Sequence, residues 1–388
     1  MSQLFAIGDL SLSLDRYPPD QKNRSLQAWD AADELLIKAA WQQFPSVTGK
    51  LLLLNDQFGA LACALHAFSP VQVSDSYISQ LATRHNLTAN QLGAITQLDS
   101  LEALPAAGLV LMKFPTNHSY LRYQLRALKQ VLAPGTLVLA SAKAKDIHAN
   151  VLAIFREELG ETNASLTDKK CRLITARCDT AVTTPLSPKF PLCWHATINL
   201  AAPLNTQNLE LELINHANVF SREQLDIGAR FLLEHLPVLP AQSQVIDLGC
   251  GNGVLGVALL MAQPETQLMF CDESYMAVDS AKLTVERNCP ELLANCQFLV
   301  DDSLSQQADL SIDMIICNPP FHQQNAVTDH IAWQMFADAR RVLKVGGSLR
   351  IVCNRHLGYH EKLSRLFGGC SHIASNAKFT ILEAIRRK

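Results

Sequence analysis

Short continuous apolar runs alternate along the chain with stretches of three-and-four apolar spacing, a pattern that predicts strands interleaved with helices. In the first half, Leu51-Leu52-Leu53-Leu54, Val71-Gln72-Val73, Leu109-Val110-Leu111-Met112 and Leu137-Val138-Leu139-Ala140 read as buried strands, with a helix expected over 24–44 ahead of them. Turn residues come after the first two strands, as Asn55-Asp56-Gln57-Phe58-Gly59 and Ser74-Asp75-Ser76-Tyr77. This order describes a doubly wound α/β sheet. From Asp179 to about Asn208 the pattern lapses, and Pro185, Pro188, Pro191 and Pro203 mark a connection with room for one strand at Trp194-His195-Ala196-Thr197. Beyond it the alternation restarts. Ser221 is expected to cap a helix whose Leu225, Gly228, Leu232 and Leu236 face a core. The expected division is a first domain over 1–190, a linker over 191–208 and a second domain over 209–388.

The second half repeats the first. Val131-Leu132-Ala133-Pro134-Gly135 matches Val342-Leu343-Lys344-Val345-Gly346, Ser74-Asp75-Ser76-Tyr77 matches the neighbourhood of Asp272-Glu273-Ser274-Tyr275, and Asp99-Ser100-Leu101 matches Asp302-Ser303-Leu304. Two copies of one fold in tandem explain this economically. The copies differ where chemistry would sit. Asp247-Leu248-Gly249-Cys250-Gly251-Asn252-Gly253 in the second stands against Leu53-Leu54-Asn55-Asp56-Gln57-Phe58-Gly59 in the first, and Asn318-Pro319-Pro320-Phe321 against Lys113-Phe114-Pro115-Thr116. The first domain is therefore expected to be degenerate, having lost catalysis and kept the fold as a platform.

At 388 residues and 48% hydrophobic, the chain is long enough for two globular domains. No run approaches the ~18 consecutive apolar residues of a membrane span, and Met1-Ser2-Gln3-Leu4-Phe5 has no basic segment leading an apolar one, so no secretion signal is read. Eleven scattered cysteines without zinc spacing suggest small buried hydrophobes in a reducing cytosol and no metal site. A cytoplasmic monomer is expected. The net charge of −3 argues against a non-specific polyanion binder, yet residues 1–200 carry 18 basic against 16 acidic side chains. Lys113, Arg122, Arg126, Lys129, Lys143 and Lys145 face only Glu102 and Asp146 between positions 101 and 150. Both a nucleic-acid footprint and a solvated helix face suit that stretch.

Candidate chemistry centres on Asn318, Pro319 and Phe321. Two prolines after the apolar run Met314-Ile315-Ile316 end a strand and stiffen the segment beyond it. An amine on a nucleobase is a poor nucleophile because its lone pair is delocalised into the ring. If the Asn318 side-chain oxygen and the Pro319 carbonyl each accept one N–H bond, the nitrogen is drawn toward a tetrahedral shape, while Phe321 stacks on the base for roughly 1–3 kcal/mol. Upstream, Gly249, Gly251 and Gly253 let backbone approach a ligand closely. Asp247 before that turn repels a pyrophosphate and suits the ammonium of an amino-acid-like cofactor. Asp272 is placed to accept both hydroxyls of a ribose, and Asp302 an adenine amine, with Glu273 and Asp301 as lower-ranked neighbours. Together with Asn318 these positions describe S-adenosylmethionine in a class I methyltransferase, whose seventh strand Phe379-Thr380-Ile381-Leu382 would supply.

Over nearly its whole length the chain also resembles the bacterial large-subunit ribosomal RNA guanine-N2 methyltransferase G family, a relative of the small-subunit guanine-N2 methyltransferase C. The residues carrying the resemblance are Leu26-Gln27-Ala28-Trp29, Asp75-Ser76-Tyr77-Ile78-Ser79, His216-Ala217-Asn218-Val219-Phe220-Ser221, Asn318-Pro319-Pro320-Phe321-His322-Gln323-Gln324 and Asn354-Arg355-His356-Leu357, together with Leu53, Asn55, Asp56, Phe58, Gly59 and Ala60. The resemblance implies methyl transfer from S-adenosylmethionine to the exocyclic amine of a guanine in 23S ribosomal RNA, by an active second domain behind a degenerate first one. Asn is expected near positions 301 and 302, where this chain has Asp at both. Phe220 and Ser221 are expected to border the cofactor, and Arg355 and His356 to meet phosphate or guanine. Two other readings stay open: a protein-glutamine or DNA-adenine methyltransferase, which needs the same ledge, and an RNA-binding assembly factor without catalysis.

Overall fold

The computed structural model describes residues 3–19, 26–44, 48–201, 204, 208–320 and 326–388. It divides into two compact units, Met1–Lys189 and Phe190–Lys388.

The first unit opens on a hairpin, β1 (Gln3–Ile7) and β2 (Leu10–Leu14), whose alternate residues Phe5, Ile7, Leu12 and Leu14 are buried. Helix α1 (Ala31–Gln43) starts later than the expected 24. The reason is a reciprocal cap: the Asp30 carboxylate accepts from the Ala32 and Asp33 amides, and the Asp33 carboxylate from the Asp30 amide. Next come β3 (Leu51–Leu54), α2 (Ala60–Ala64), β4 (Val71–Ser74), α3 (Tyr77–Ala89), β5 (Thr96–Asp99), β6 (Leu109–Lys113) and α4 (His118–Val131). The unit closes with β7 (Leu137–Lys143), α5 (Ala149–Glu158), β8 (Thr162–Ala164) and β9 (Cys171–Arg177). The sheet runs β5-β4-β3-β6-β7-β9-β8 with only β9 reversed. All four leucines of β3 are buried because both faces of the sheet are covered. The hairpin with α1 to α3 covers one face, and α4 with α5 the other.

The second unit repeats this plan. Its hairpin is β10 (Leu192–Ile198) with β11 (Leu209–Asn215), leading to α6 (Ile227–Leu233), β12 (Gln244–Leu248), α7 (Val254–Ala262), β13 (Gln267–Asp272), α8 (Tyr275–Asn288) and β14 (Cys296–Val300). Then come β15 (Ile312–Cys317), α9 (Ala326–Val342), β16 (Leu343–Asn354), α10 (Tyr359–Phe367), β17 (Ser371–Ser375) and β18 (Phe379–Ile385). The order β14-β13-β12-β15-β16-β18-β17, with β18 alone reversed, is that of the first sheet. In each unit an asparagine at the carboxyl end of one helix, α3 or α8, clamps the hairpin. Asn90 exchanges two bonds with the backbone of Ser13, and Asn288 two with that of Glu212.

The strand expected at Trp194-His195-Ala196-Thr197 is present and longer, as β10, which buries Ala196 and Ile198 in the second unit's core. One expectation is corrected. Ser221 does not cap α6. That cap is Asp226, whose carboxylate accepts from the Ala229 amide, while the Ser221 hydroxyl donates to the Gln224 carbonyl.

Strand ladders fix which residues of the repeat correspond. Turns of equal length join Leu54 to Gly59 and Leu248 to Gly253, so Ser74 falls on Asp272, Lys113 on Asn318 and Lys143 on Asn354. Ser74 pairs with Asp99 and Asp272 with Val300, so Asp99 corresponds to Val300. The sequence match of Asp99 to Asp302 is therefore out of register, because the acid in the first unit ends the strand while that in the second lies in the loop beyond it.

Candidate active site

Gly249, Gly251 and Gly253 all take left-handed backbone, with φ of 71°, 55° and 77°. A Cβ on Gly253 would lie 2.9 Å from that of Ala281, whereas one on Gly251 would meet nothing within 4 Å, so the turn leaves open space above its backbone. Asp247 lies one residue before the end of the strand beneath it and is buried. Its Oδ2 accepts from the Gly256 amide at 2.9 Å, and its Oδ1 has no hydrogen-bond partner among the described residues. Burial pushes this carboxyl up to about 8, with the Asp272 charge adding to the effect. Asp272, at the end of β13, accepts from the Gly251 amide at 3.0 Å and the Ser274 amide at 3.1 Å, which ties it to the glycine turn. In the loop after β14, Asp301 is fully buried and committed to the Ser305 hydroxyl and the Gln306 amide, while Asp302 accepts from the Gln334 side chain at 3.0 Å.

Asn318 comes directly after β15. Its Nδ2 donates to Asp226 Oδ2 at 3.1 Å, and its Oδ1 is buried without a partner among the described residues. Because Asp226 also caps α6, the helix start fixes the carboxylate and the carboxylate fixes the amide. Sequence reasoning misses Asp226, although its place just before the helical spacing is a signal for a cap. Asn354, ending β16, likewise has a buried, unpartnered Oδ1. Thus the carboxyl ends of the adjacent strands β12, β15 and β16 each hold an acceptor left unsatisfied, a set complementary to a ligand rich in N–H donors. Pro319 is buried and Pro320 exposed. Phe321 lies outside the described residues.

The other candidates are more scattered. Phe220 is exposed and, with Ser221, lies between β11 and α6. Arg355 and His356 are exposed in the turn after β16. In the first unit four of the six cations are occupied internally. Lys113 pairs with Asp30 at 2.6 Å and Asp33 at 2.9 Å. Arg122 and Arg126 both reach Glu158, which is fully buried, and Lys129 donates to the Val182 carbonyl. Only Lys143 and Lys145 of the six are exposed. The continuous basic footprint is therefore corrected: its partners come from outside the window in which charges are compared. Among the described residues no cluster of His, Cys, Asp or Glu is able to hold a metal, and no helix is long and apolar enough to cross a membrane.

The strand order with one reversed strand, the three-glycine turn after the central strand and the acid ending the next define a class I methyltransferase domain, and the chain carries that fold twice. The family profile described as RLMG N-terminal domain matches residues 2–180, and that described as Methyltransferase small domain matches residues 210–383. Relatives called ribosomal RNA large subunit methyltransferase G include one from Serratia proteamaculans, 50% identical over all of this chain and 99% of that protein. Another, from Pseudoalteromonas translucida, is 48% identical at the same coverage. Among solved structures, the T. thermophilus 16S rRNA N2 methyltransferase RsmC, in complex with AdoMet and guanosine, superposes with a TM-score of 0.75 over all of this chain and 98% of that one, at 22% identity. The chain belongs to the ribosomal RNA large subunit methyltransferase G family. It is thus a methyltransferase whose donor is S-adenosylmethionine, and the unpartnered Asp247 oxygen beside an open glycine turn fits that donor.

Proposed function

We propose that this protein transfers one methyl group from S-adenosylmethionine to the exocyclic N2 amine of a guanine in 23S ribosomal RNA, in the cytoplasm and as a monomer. The observation that carries the reading is the Asn318 amide: one end is tied to Asp226 and the other presents a buried acceptor with no donor among the described residues. The cofactor supplies an electrophilic methyl group on a sulfonium. Asp247 would hold its ammonium, Asp272 its ribose hydroxyls and Asp302 its adenine amine, with the backbone of Gly249, Gly251 and Gly253 beneath. The tie to Asp226 selects the amide orientation, since Nδ2 is the donor and Oδ1 must then face the substrate. Asn318 Oδ1 and the Pro319 carbonyl accept the two N–H groups of the guanine amine, and Phe321 stacks on its ring. The base must leave its stack to reach them, at a cost of a few kcal/mol if paired. Catalysis is then mostly alignment, and the proton lost from nitrogen passes to solvent.

On the RNA side, Arg355 and His356 in the second unit and Lys143 and Lys145 in the first meet phosphates, and Phe220 with Ser221 borders the cofactor. The first unit serves as the platform that holds the polymer. The test is methylation of protein-free 23S ribosomal RNA from cells lacking this protein, with the product nucleoside identified by mass spectrometry. N2-methylguanosine formed by the wild type, with turnover lowered at least about 10²–10³-fold in Asn318→Ala at unchanged cofactor affinity, is the expected result. Methylation of a protein glutamine or a DNA adenine instead, or full turnover by the variant, overturns it.

A further inference from the structure

The first unit contains a cavity of about 230 Å3 at the carboxyl ends of β3 and β4, walled by Leu54, Val73, the loop 100–104 and the α4 residues Tyr120, Tyr123 and Gln124. By ladder register, Leu54 and Val73 stand where Leu248 and Cys271 stand in the second unit, and the loop comes after β5 as Asp301 and Asp302 come after β14. The helix side is alike as well: Tyr123 of α4 donates to the Ser100 carbonyl at 3.0 Å, as Gln334 of α9 donates to Asp302. The cavity therefore occupies the place that the proposed function gives to the adenine of the cofactor, and the inference rests on that reading.

Everything else in this copy of the site is filled. Asp56 sends its carboxylate to the Gly59 and Ala62 amides, Ala62 being the counterpart of the Gly256 served by Asp247. Ser74 replaces the ribose acid, and Lys113 with its two carboxylates replaces the catalytic amide. Among the described residues no unpartnered carboxylate or amide oxygen is left here for an ammonium or a methyl acceptor. Yet the base slot has stayed open, reached from solvent past the exposed Glu102, Ala103 and Gln130. Its volume lies below the ~300–1,000 Å3 of sites for larger ligands, which suits one base and not a whole cofactor. Two tyrosines and an apolar floor offer flat surfaces, and the Tyr120 hydroxyl is buried at the wall beside the Asp75 backbone and the Gln124 side chain.

We propose that this cavity binds a single nucleobase, taken from a free nucleoside or from an unpaired position of an RNA strand. The full-length protein is first titrated with S-adenosylhomocysteine, which reports on the second unit by itself. The saturated protein is then titrated by calorimetry with adenosine and, separately, with a short unstructured oligoribonucleotide. One further equivalent of adenosine should bind. Ala127→Trp, which fills the cavity from α4, should weaken it at least tenfold, and Tyr120→Phe, which keeps the ring, by roughly fivefold. Displacement of adenosine by the oligoribonucleotide assigns the site to an RNA base; adenosine binding that the oligoribonucleotide leaves untouched assigns it to a free nucleoside. Absence of a further equivalent for both ligands overturns the proposal, as does binding that a folded Ala127→Trp or Tyr120→Phe leaves unchanged. Failure of the S-adenosylhomocysteine titration would instead strike the assignment of the second unit.

Discussion

At the carboxyl end of the fourth parallel strand of each sheet, one residue reaches back to the acid capping the helix that leads into that sheet, but the two units draw opposite chemistry from this contact. In the second, Asn318 gives a neutral donor to Asp226 and keeps an acceptor in reserve. In the first, Lys113 gives an ammonium to Asp30 and Asp33 and keeps nothing, since a lysine has no acceptor. Burial works against the Lys113 charge, and Asp33 and Asp30 together outweigh it, leaving the group more basic than usual. The position proposed to hold the substrate amine in one copy is a structural ion pair in the other. The lysine offers no acceptor there and at the same time ties the end of β6 to the start of α1.

The sharpest way to break this comparison is to restore the amide in the first unit. Lys113→Asn leaves the Asp33 carboxylate buried and unpaired, and removing one partner of a buried pair costs about 3–5 kcal/mol. Chemical denaturation should show that loss in the transition of the first unit, with no methyl transfer gained. A loss under about 1 kcal/mol would mean that the ion pair does not hold the platform together.

Next in size is the acid that only the second unit possesses. Asp247→Asn should weaken S-adenosylhomocysteine binding by roughly 10–100-fold at pH 8.5, the worth of a hydrogen bond to a charged group. In the wild type the carboxyl is pushed up to about 8, so affinity should rise with pH through that value and the variant should lose the dependence. Stability of the ligand-free protein runs the other way. The folded carboxyl holds its proton more tightly than the unfolded one, so its contribution is complete below the unfolded value of about 4, declines as pH rises from there, and is fully lost above the folded value. Asp247→Asn should therefore melt above the wild type at pH 9, by a margin that narrows steadily as pH falls toward 4. The same margin at pH 9 and pH 5 would show that the buried oxygen is not a charge in waiting.

How much of the molecule is legible in its sequence depends on the range of each interaction along the chain. The strands can be read because buried parallel strands are continuous apolar runs, and the glycine turn because positive φ selects glycine at Gly249, Gly251 and Gly253. Asn318 and Asp247 stand out by residue type at the ends of such runs. The contacts that escape are long-range: Asp226 lies 92 residues from Asn318, Asp30 lies 83 from Lys113, and Glu158 lies 32 from Arg126. Counting charges in a window of about fifty residues makes a footprint of cations whose partners lie elsewhere. The cap escapes for a different reason. Ser221 and Asp226 are both good capping types, and only the fold decides which one precedes the first helical turn.

The smallest expected effect separates the two kinds of cation in the first unit. Lys143 and Lys145 are exposed; strand register matches Lys143 to Asn354, and Lys145 lies in the short helical turn after β7 as Arg355 and His356 lie in the one after β16, so the same rim of the fold carries cations in both copies. If that rim meets RNA in the first unit, each lysine neutralises one phosphate, and each loss should flatten the salt dependence of binding by a slope of about 0.7–0.9. The double variant Lys143→Ala/Lys145→Ala should then bind 23S ribosomal RNA several-fold more weakly at low salt and nearly as well as wild type at high salt, with unchanged melting. Arg122→Ala should do the converse, because it withdraws a partner from buried Glu158 and touches no polymer. An unaltered salt slope in the lysine variant, measured beside a lowered melting temperature in the arginine one, would leave the first unit as a folded support without a grip, and would shift the burden of RNA binding to Arg355 and His356.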